Sequence, residues 1–138
     1  MNKISVLIFC LFLMITTTTY ASIPTKTQAT KENLLEDAVI DLLQPQMYEA
    51  VQKHYGTTYD KGFQCLRVID IKKLDHPGSW LFKVTLEGMT YSGAHNPPHD
   101  IFTVTVKKDW KTEDKWVMQE YKVRKLDPDE KYECREPA

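Results

Sequence analysis

The residues whose types and spacing could do chemistry lie in one run, Tyr91-Ser92-Gly93-Ala94-His95-Asn96-Pro97-Pro98-His99-Asp100. His95, His99 and Asp100 carry the donor atoms of a metal site, two imidazoles and a carboxylate. Imidazoles at i and i+4 converge on one ion when a helix puts both on one face, and Pro97-Pro98 opposes a helix by removing backbone donors and fixing φ. A fourth ligand is not evident, since His54 and His76 would have to arrive through tertiary contacts. No metal and no cofactor is therefore assigned. His95, Asn96, His99 and Asp100 remain as binding candidates on a loop that is either structural or a partner-binding surface. It is longer than the roughly two to five residues of a tight hairpin. Gly93 permits positive φ, and Pro97-Pro98 stiffens the second half of the loop into an extended or cis segment. A rigid loop presenting polar groups is where function is expected.

Other arrangements yield no catalytic residue. There is no Gly-x-Ser-x-Gly elbow, and Ser22, Ser79 and Ser92 have no triad context. The five glycines are scattered rather than gathered in a phosphate loop. Asp127-Pro128-Asp129-Glu130 lacks the twelve-residue calcium-loop pattern and reads as a solvated turn. Trp80, Trp110 and Trp116 could line a pocket, although core or strand-end roles are the simpler account of at least two. Glu49 and Lys53 have the spacing of a surface helix pair, which carries no functional weight.

The chain begins with a basic Met1-Asn2-Lys3, an apolar run from Ile4 to Ile15 too short for a stable bilayer span, and a polar threonine stretch. Thr19-Tyr20-Ala21 then places small residues three and one before Ser22, the signal-peptidase pattern. Export is expected, with cleavage after Ala21. Ile8-Phe9 before Cys10 does not resemble a lipoprotein box, so release without a membrane anchor is expected. Loss of Lys3 takes the basic count from 18 to 17 against 19 acidic residues, a net charge of −2. That balance argues against nucleic acid and against a polybasic membrane-surface protein. Cys65 and Cys134 survive cleavage as an even pair in an oxidising compartment, where a bridge would tie the tail to the first strand; two reduced thiols are the alternative.

Residues 22–29 are polar and without period, a flexible leader to one domain over 30–126, with 127–138 as a tail. Thr30 is a plausible N-cap, with Glu32 in the first turn. Leu34, Leu35, Ala38, Val39 and Leu42 then recur at helical spacing. Beyond Pro45 a second stripe, Met47, Tyr48, Val51 and Tyr55, ends at Gly56. On one continuous helix Leu35 and Val51 would lie about 160° apart. Two helices, the second started by Pro45, are therefore preferred over one kinked helix. Alternation then marks strands through Trp80, Phe82, Val84 and Leu86, through Phe102, Val104 and Val106, through Val117, Tyr121 and Val123, and less cleanly over 65–74. Each has one wet face, and short links make neighbours antiparallel.

The expected architecture is α+β, a helix pair or Pro-kinked helix on a four-stranded antiparallel meander. In element order this is similar to cystatin-like and nuclear transport factor 2-like folds, which host many functions. The Gly93-Ala94-His95-Asn96-Pro97-Pro98 loop, the strand after it and the leucine-rich opening helix resemble a family of small exported proteins of Gram-positive spore-forming bacteria, known as a domain of unknown function. That resemblance implies export and a shared fold, and brings no activity.

A secreted, monomeric, non-enzymatic binding or interaction module presenting residues 92–100 is the leading expectation. Its partner would be an extracellular or cell-envelope protein or a small ligand. The alternative is an enzyme or small-ligand carrier with a cavity between helix and curved sheet, lined by Tyr48, Tyr55, Trp80 or Tyr121. A structural role at the cell envelope is a third.

Overall fold

A computed structural model describes residues 30–135. The expected signal peptide and the 22–29 leader lie outside the described residues.

Helix α1 (Lys31–Tyr55) starts at Thr30, whose hydroxyl accepts the Asn33 N–H at 3.1 Å, with Glu32 in its first turn. It ends at Gly56, in the left-handed conformation (φ 75°), whose N–H bonds the Gln52 carbonyl. Pro45 lies inside this one helix, so the preferred helix pair does not form. The reason is which stripe faces the sheet. Ile40, Leu43, Met47, Ala50 and Val51 are the buried residues, and Ile40 and Val51 differ by only about 20° around the axis. That stripe runs straight through the proline. Leu35 and Leu42, the basis for two opposed stripes, are 57% and 55% exposed. Pro45 itself is exposed. The carbonyl it leaves without an intrahelical donor, on exposed Asp41, can be hydrated, so packing of the opposite stripe wins.

Strands β1 (Lys61–Lys73), β2 (Phe82–Ser92), β3 (Asp100–Lys108) and β4 (Val117–Lys125) form one antiparallel sheet in sequence order. Three irregularities explain where alternation is hard to read. In β1 the register slips between Gln64 and Arg67, and again between Val68 and Asp70. In β4, Thr105 pairs with Glu120 but Val106 with Met118, leaving Gln119 as an extra residue. Met118 therefore packs in the core while Val117 points outward, and Tyr121 and Val123 return to the core side. Trp80 precedes β2 and is exposed, so it does not continue the Phe82, Val84, Leu86 face.

The helix covers one face of this sheet. Leu43, Met47 and Val51 pack with Val84, Leu86, Phe102, Val104 and Val106 in a fully buried core. Side chains alternate across the pleat, so Arg67, Glu87 and Thr103 belong to the opposite face. That face was expected to be wet, and the tail covers part of it. Arg124 on β4 holds Glu130 in a two-pronged pair (2.7 and 2.8 Å). Tyr132 donates to Glu87 at 2.8 Å, and Glu87 also takes Arg67 at 2.6 Å. Cys134 is bridged to Cys65, with a Cα separation of 4.7 Å. Arg135 then donates to the Leu66 carbonyl at 3.0 Å and pairs with Glu36 and Asp37 of α1. The tail is thus a strap from β4 back across the sheet to β1 and the helix.

Candidate functional site

The β2–β3 connection is built on a narrow base. Ser92 and Asn96 exchange both backbone hydrogen bonds at 2.8 Å, making Gly93, Ala94 and His95 the tip. Gly93 (φ 51°) and His95 (φ 62°) both take the left-handed conformation that closes so short a turn. The Gly93 N–H bonds the Asp60 carbonyl at 3.1 Å, which pins the tip to the entry of β1. Pro97-Pro98 is cis.

Each loop candidate has a distinct environment. The His95 ring stacks on Tyr91, with centroids 4.1 Å apart, and its Nδ1 lies 3.1 Å from the Gln64 side-chain oxygen. The hydroxyl end of the Tyr91 ring in turn lies against Gly62, where a Cβ would come within 2.3 Å of the ring. His99 Nε2 is 3.3 Å from the His95 carbonyl, so its ring braces the loop from within. Asn96 is exposed, its backbone used by the Ser92 bridge. The two imidazoles therefore serve different contacts, and among the described residues no group of three or more His, Cys, Asp or Glu is placed to hold a metal ion.

Asp100 is 6% exposed and supports the loop from below. Its carboxylate accepts the Tyr55 hydroxyl at 2.5 Å, while its backbone N–H and carbonyl both bond the Thr90 hydroxyl at 3.2 Å. Burial, then the bond to Asp100, pushes the Tyr55 phenol up to about 12. Tyr55 is thus a neutral donor at ordinary pH rather than a base. Lys61 closes the cluster, its ammonium 2.7 Å from the Ser92 hydroxyl and 4.6 Å from the Tyr55 ring centroid. Beside the loop, Tyr48, Asp60, Lys61, Gly62, Tyr91 and Gly93 line an open groove of about 260 Å³. The arrangement can receive polar and aromatic groups.

Sequence reasoning names the loop and Asp100, and misses that Asp100, Thr90, Tyr55 and Tyr91 support it. Helical spacing places Tyr55 in an apolar stripe, and composition marks Tyr91 only as the loop's first residue. The legible signal is Gly62, which pairs with Tyr91 across β1 and β2 and leaves room for its ring. Among the described residues a small apolar pocket of about 140 Å³ does lie between helix and sheet, lined by Val39, Leu42, Ile71, Phe82, Val84 and Trp116, and the four residues expected to line such a cavity are not among them. Tyr55 and Tyr121 pack against the filled core, Tyr48 meets Phe63 edge-on at 5.6 Å, and Trp80 lines a separate groove. The 127–130 turn is closed by its own groups, with Asp127 accepting the Asp129 N–H at 3.0 Å.

No curated protein and no solved structure matches the chain. Residues 35–124, which run from the first turns of α1 to the end of β4 and include the whole loop, match the family described as Protein of unknown function (DUF3888), and the chain belongs to that family.

Proposed function

We propose that this protein is exported and acts as a monomeric, non-enzymatic binding module that presents the 92–100 loop and the adjoining groove to an extracellular or cell-envelope partner. One observation carries the reading. His95 is held in a left-handed turn and stacked on Tyr91, yet it stays exposed beside Asn96 at the rim of the groove. Surface side chains fixed before contact lose little entropy on binding. The disulfide is compatible with an oxidising compartment. The apolar start, the Thr19-Tyr20-Ala21 pattern and the resemblance to exported proteins of Gram-positive spore-formers support export. The order of one helix and a four-strand meander keeps the cystatin-like analogy as a reading of the fold.

The double variant His95→Ala/Asn96→Ala tests the surface. It should fold with a thermal midpoint only slightly lowered, by the lost Tyr91 stack and alanine in the left-handed position, while its retention on the envelope of the exporting cell falls about tenfold, the loss of roughly one good contact. Unchanged retention, or a large fall in midpoint, makes the loop structural. Intact mass of the protein from the culture fluid tests export independently, through loss of residues 1–21.

A further inference from the structure

At the end of the sheet away from the 92–100 loop, two tryptophans stand on the surface. Trp80 is 79% exposed and Trp110 is 71% exposed, and both line one groove of about 330 Å³ with His76, Ser79, Lys108 and Asp114. That volume lies within the range of small-molecule sites, roughly 300–1,000 Å³. Large indoles left in water are uncommon, and two on one groove mark a surface that binds something.

Neither indole is a loose end. Trp80 leaves a turn closed by Leu74 N–H to the Leu81 carbonyl (2.8 Å), Ser79 N–H to the His76 carbonyl (2.9 Å), and the Ser79 hydroxyl on the Leu74 carbonyl. Trp110 opens a 3₁₀ turn capped by Asp109, whose carboxylate accepts the Lys111 and Thr112 N–H groups at 3.0 and 3.1 Å. The Thr112 hydroxyl completes that cap by accepting the Asp109 N–H at 2.9 Å. Lys107 pairs with the same carboxylate and secures it. Both rings are therefore presented by braced turns and keep their exposure.

The polar lining says what such rings would meet. Lys108 and Asp114 enter into no ion pair or side-chain hydrogen bond among the described residues, and neither indole N–H has an acceptor there. The groove thus offers free donors and a free acceptor, with Lys108 and Asp114 in balance, while Lys73, held by the Pro77 carbonyl at 2.7 Å, lies 5.8 Å from the Trp80 centroid and leaves most of that ring, 79% exposed, to solvent. A polyanion would meet Asp114, and a bilayer would have to strip water from both charges, so each is disfavoured. A neutral ligand rich in hydroxyls, which donate and accept alike, suits all of these groups. The C–H faces of a pyranose ring carry positive partial charge and stack on the negative face of an indole.

We infer that the Trp80–Trp110 groove is a binding site for a neutral oligosaccharide, whose pyranose rings stack on the two indoles while hydroxyls engage Lys108, Asp114 and the indole N–H groups. The site lies apart from the loop, and it does not depend on the loop's role.

Isothermal titration of the purified protein with cellohexaose, chitohexaose and maltohexaose tests it with straight and curved chains. Saturable binding to at least one is expected, with Kd between about 10 µM and 1 mM. Trp80→Ala and Trp110→Ala should each weaken it about tenfold or more, since each removes a stacking face. Asp114→Asn, which keeps a side chain tolerant of that residue's left-handed backbone (φ 58°), should weaken it less, and His95→Ala should leave it unchanged. The exposed positions of both tryptophans predict unaltered thermal midpoints, which separates lost binding from lost folding. Absence of saturable binding to all three sugars, or binding that survives in the Trp80→Ala/Trp110→Ala protein, overturns the assignment. Tryptophan-dependent sedimentation with phosphatidylglycerol vesicles and no sugar binding would reassign the groove to a membrane surface and equally overturn it.

Discussion

The helix-side face of the sheet buries Leu86, Phe102, Val104 and Val106 completely beneath Leu43, Met47 and Val51. The opposite face sets Arg67, Glu87 and Thr103 under Tyr132 and closes with a disulfide. One is held by apolar area, which is non-directional and large in sum. The other is held by a few directed contacts and one covalent link, each of which can be removed singly. The contrast predicts that substitutions on the first face act on the whole fold, while those on the second act first on the strap.

Phe102→Ala should be the most damaging single substitution. The ring is fully buried and touches Tyr55, Phe63 and Tyr121, so truncation should cost about 3–5 kcal/mol, read by denaturant unfolding. A cost below about 1 kcal/mol would mean that this face is not the principal core. Cys134→Ser comes next. The bridge closes a separation of 69 residues, and its removal should cost about 2–4 kcal/mol through the freed unfolded chain. Limited proteolysis should then cut within residues 127–135 before the sheet unfolds. Simultaneous loss of strap and core would show that the two faces are one cooperative unit.

Glu87→Gln is a smaller break on the strap side. Burial alone would raise the Glu87 carboxyl, but hydrogen bonds from Arg67 and Tyr132, with the nearby guanidinium charges, outweigh it and hold the group below its ordinary value of 4.5. A carboxyl depressed by folding contributes stability above about pH 4.5 and loses it as pH falls through the lower folded value. Wild type should therefore lose stability more steeply than the variant in acid, with a difference near neutrality of about 1–2 kcal/mol, moderated because Arg67 is partly exposed. Tyr132 gives the alkaline counterpart. Burial, then the bond to Glu87, raises its phenol from 10.0 to about 12, so its contribution is complete below about pH 10 and is lost as pH rises through 12. Tyr132→Phe should flatten that limb on the strap side, and Tyr55→Phe should do so beside the loop, where the shift is similar. Parallel pH profiles for wild type and all three variants would remove the electrostatic account of both places.

The same contrast decides how much of the molecule is legible in its sequence. Phe102, Val104 and Val106 repeat at every second residue, and that face reads directly from the chain. The strap does not, because Tyr132, Glu87, Arg67 and Arg124 are far apart in sequence and each is an ordinary surface type. Only the cysteine pair announces that the tail returns. The loop is visible through its composition, whereas its supports, Tyr55, Asp100 and Thr90, come from three elements and meet only in the fold. In β1 and β4, register slips hide the period. In α1 the leucines mislead, since Leu34, Leu35 and Leu42 form a regular apolar set that faces largely outward.

The exposed leucines supply a test of which surface of α1 is the core, and its Leu35 arm carries the smallest expected effect. Leu35 is 57% exposed, and Leu43 is fully buried in the cluster with Val84, Leu86 and Phe102. Leu43→Ala should cost about 2–5 kcal/mol, because it removes buried methyl groups and leaves a cavity. Leu35→Gln should stay within about 0.5 kcal/mol of wild type, since the new amide remains hydrated and glutamine is nearly as good a helix former as leucine. Both residues sit on one helix and differ chiefly in facing. Equal costs would restore a helix buried on two sides, and with it the kink at Pro45. A large difference leaves Pro45 on the solvent side of a single stripe, where its missing donor is met by water.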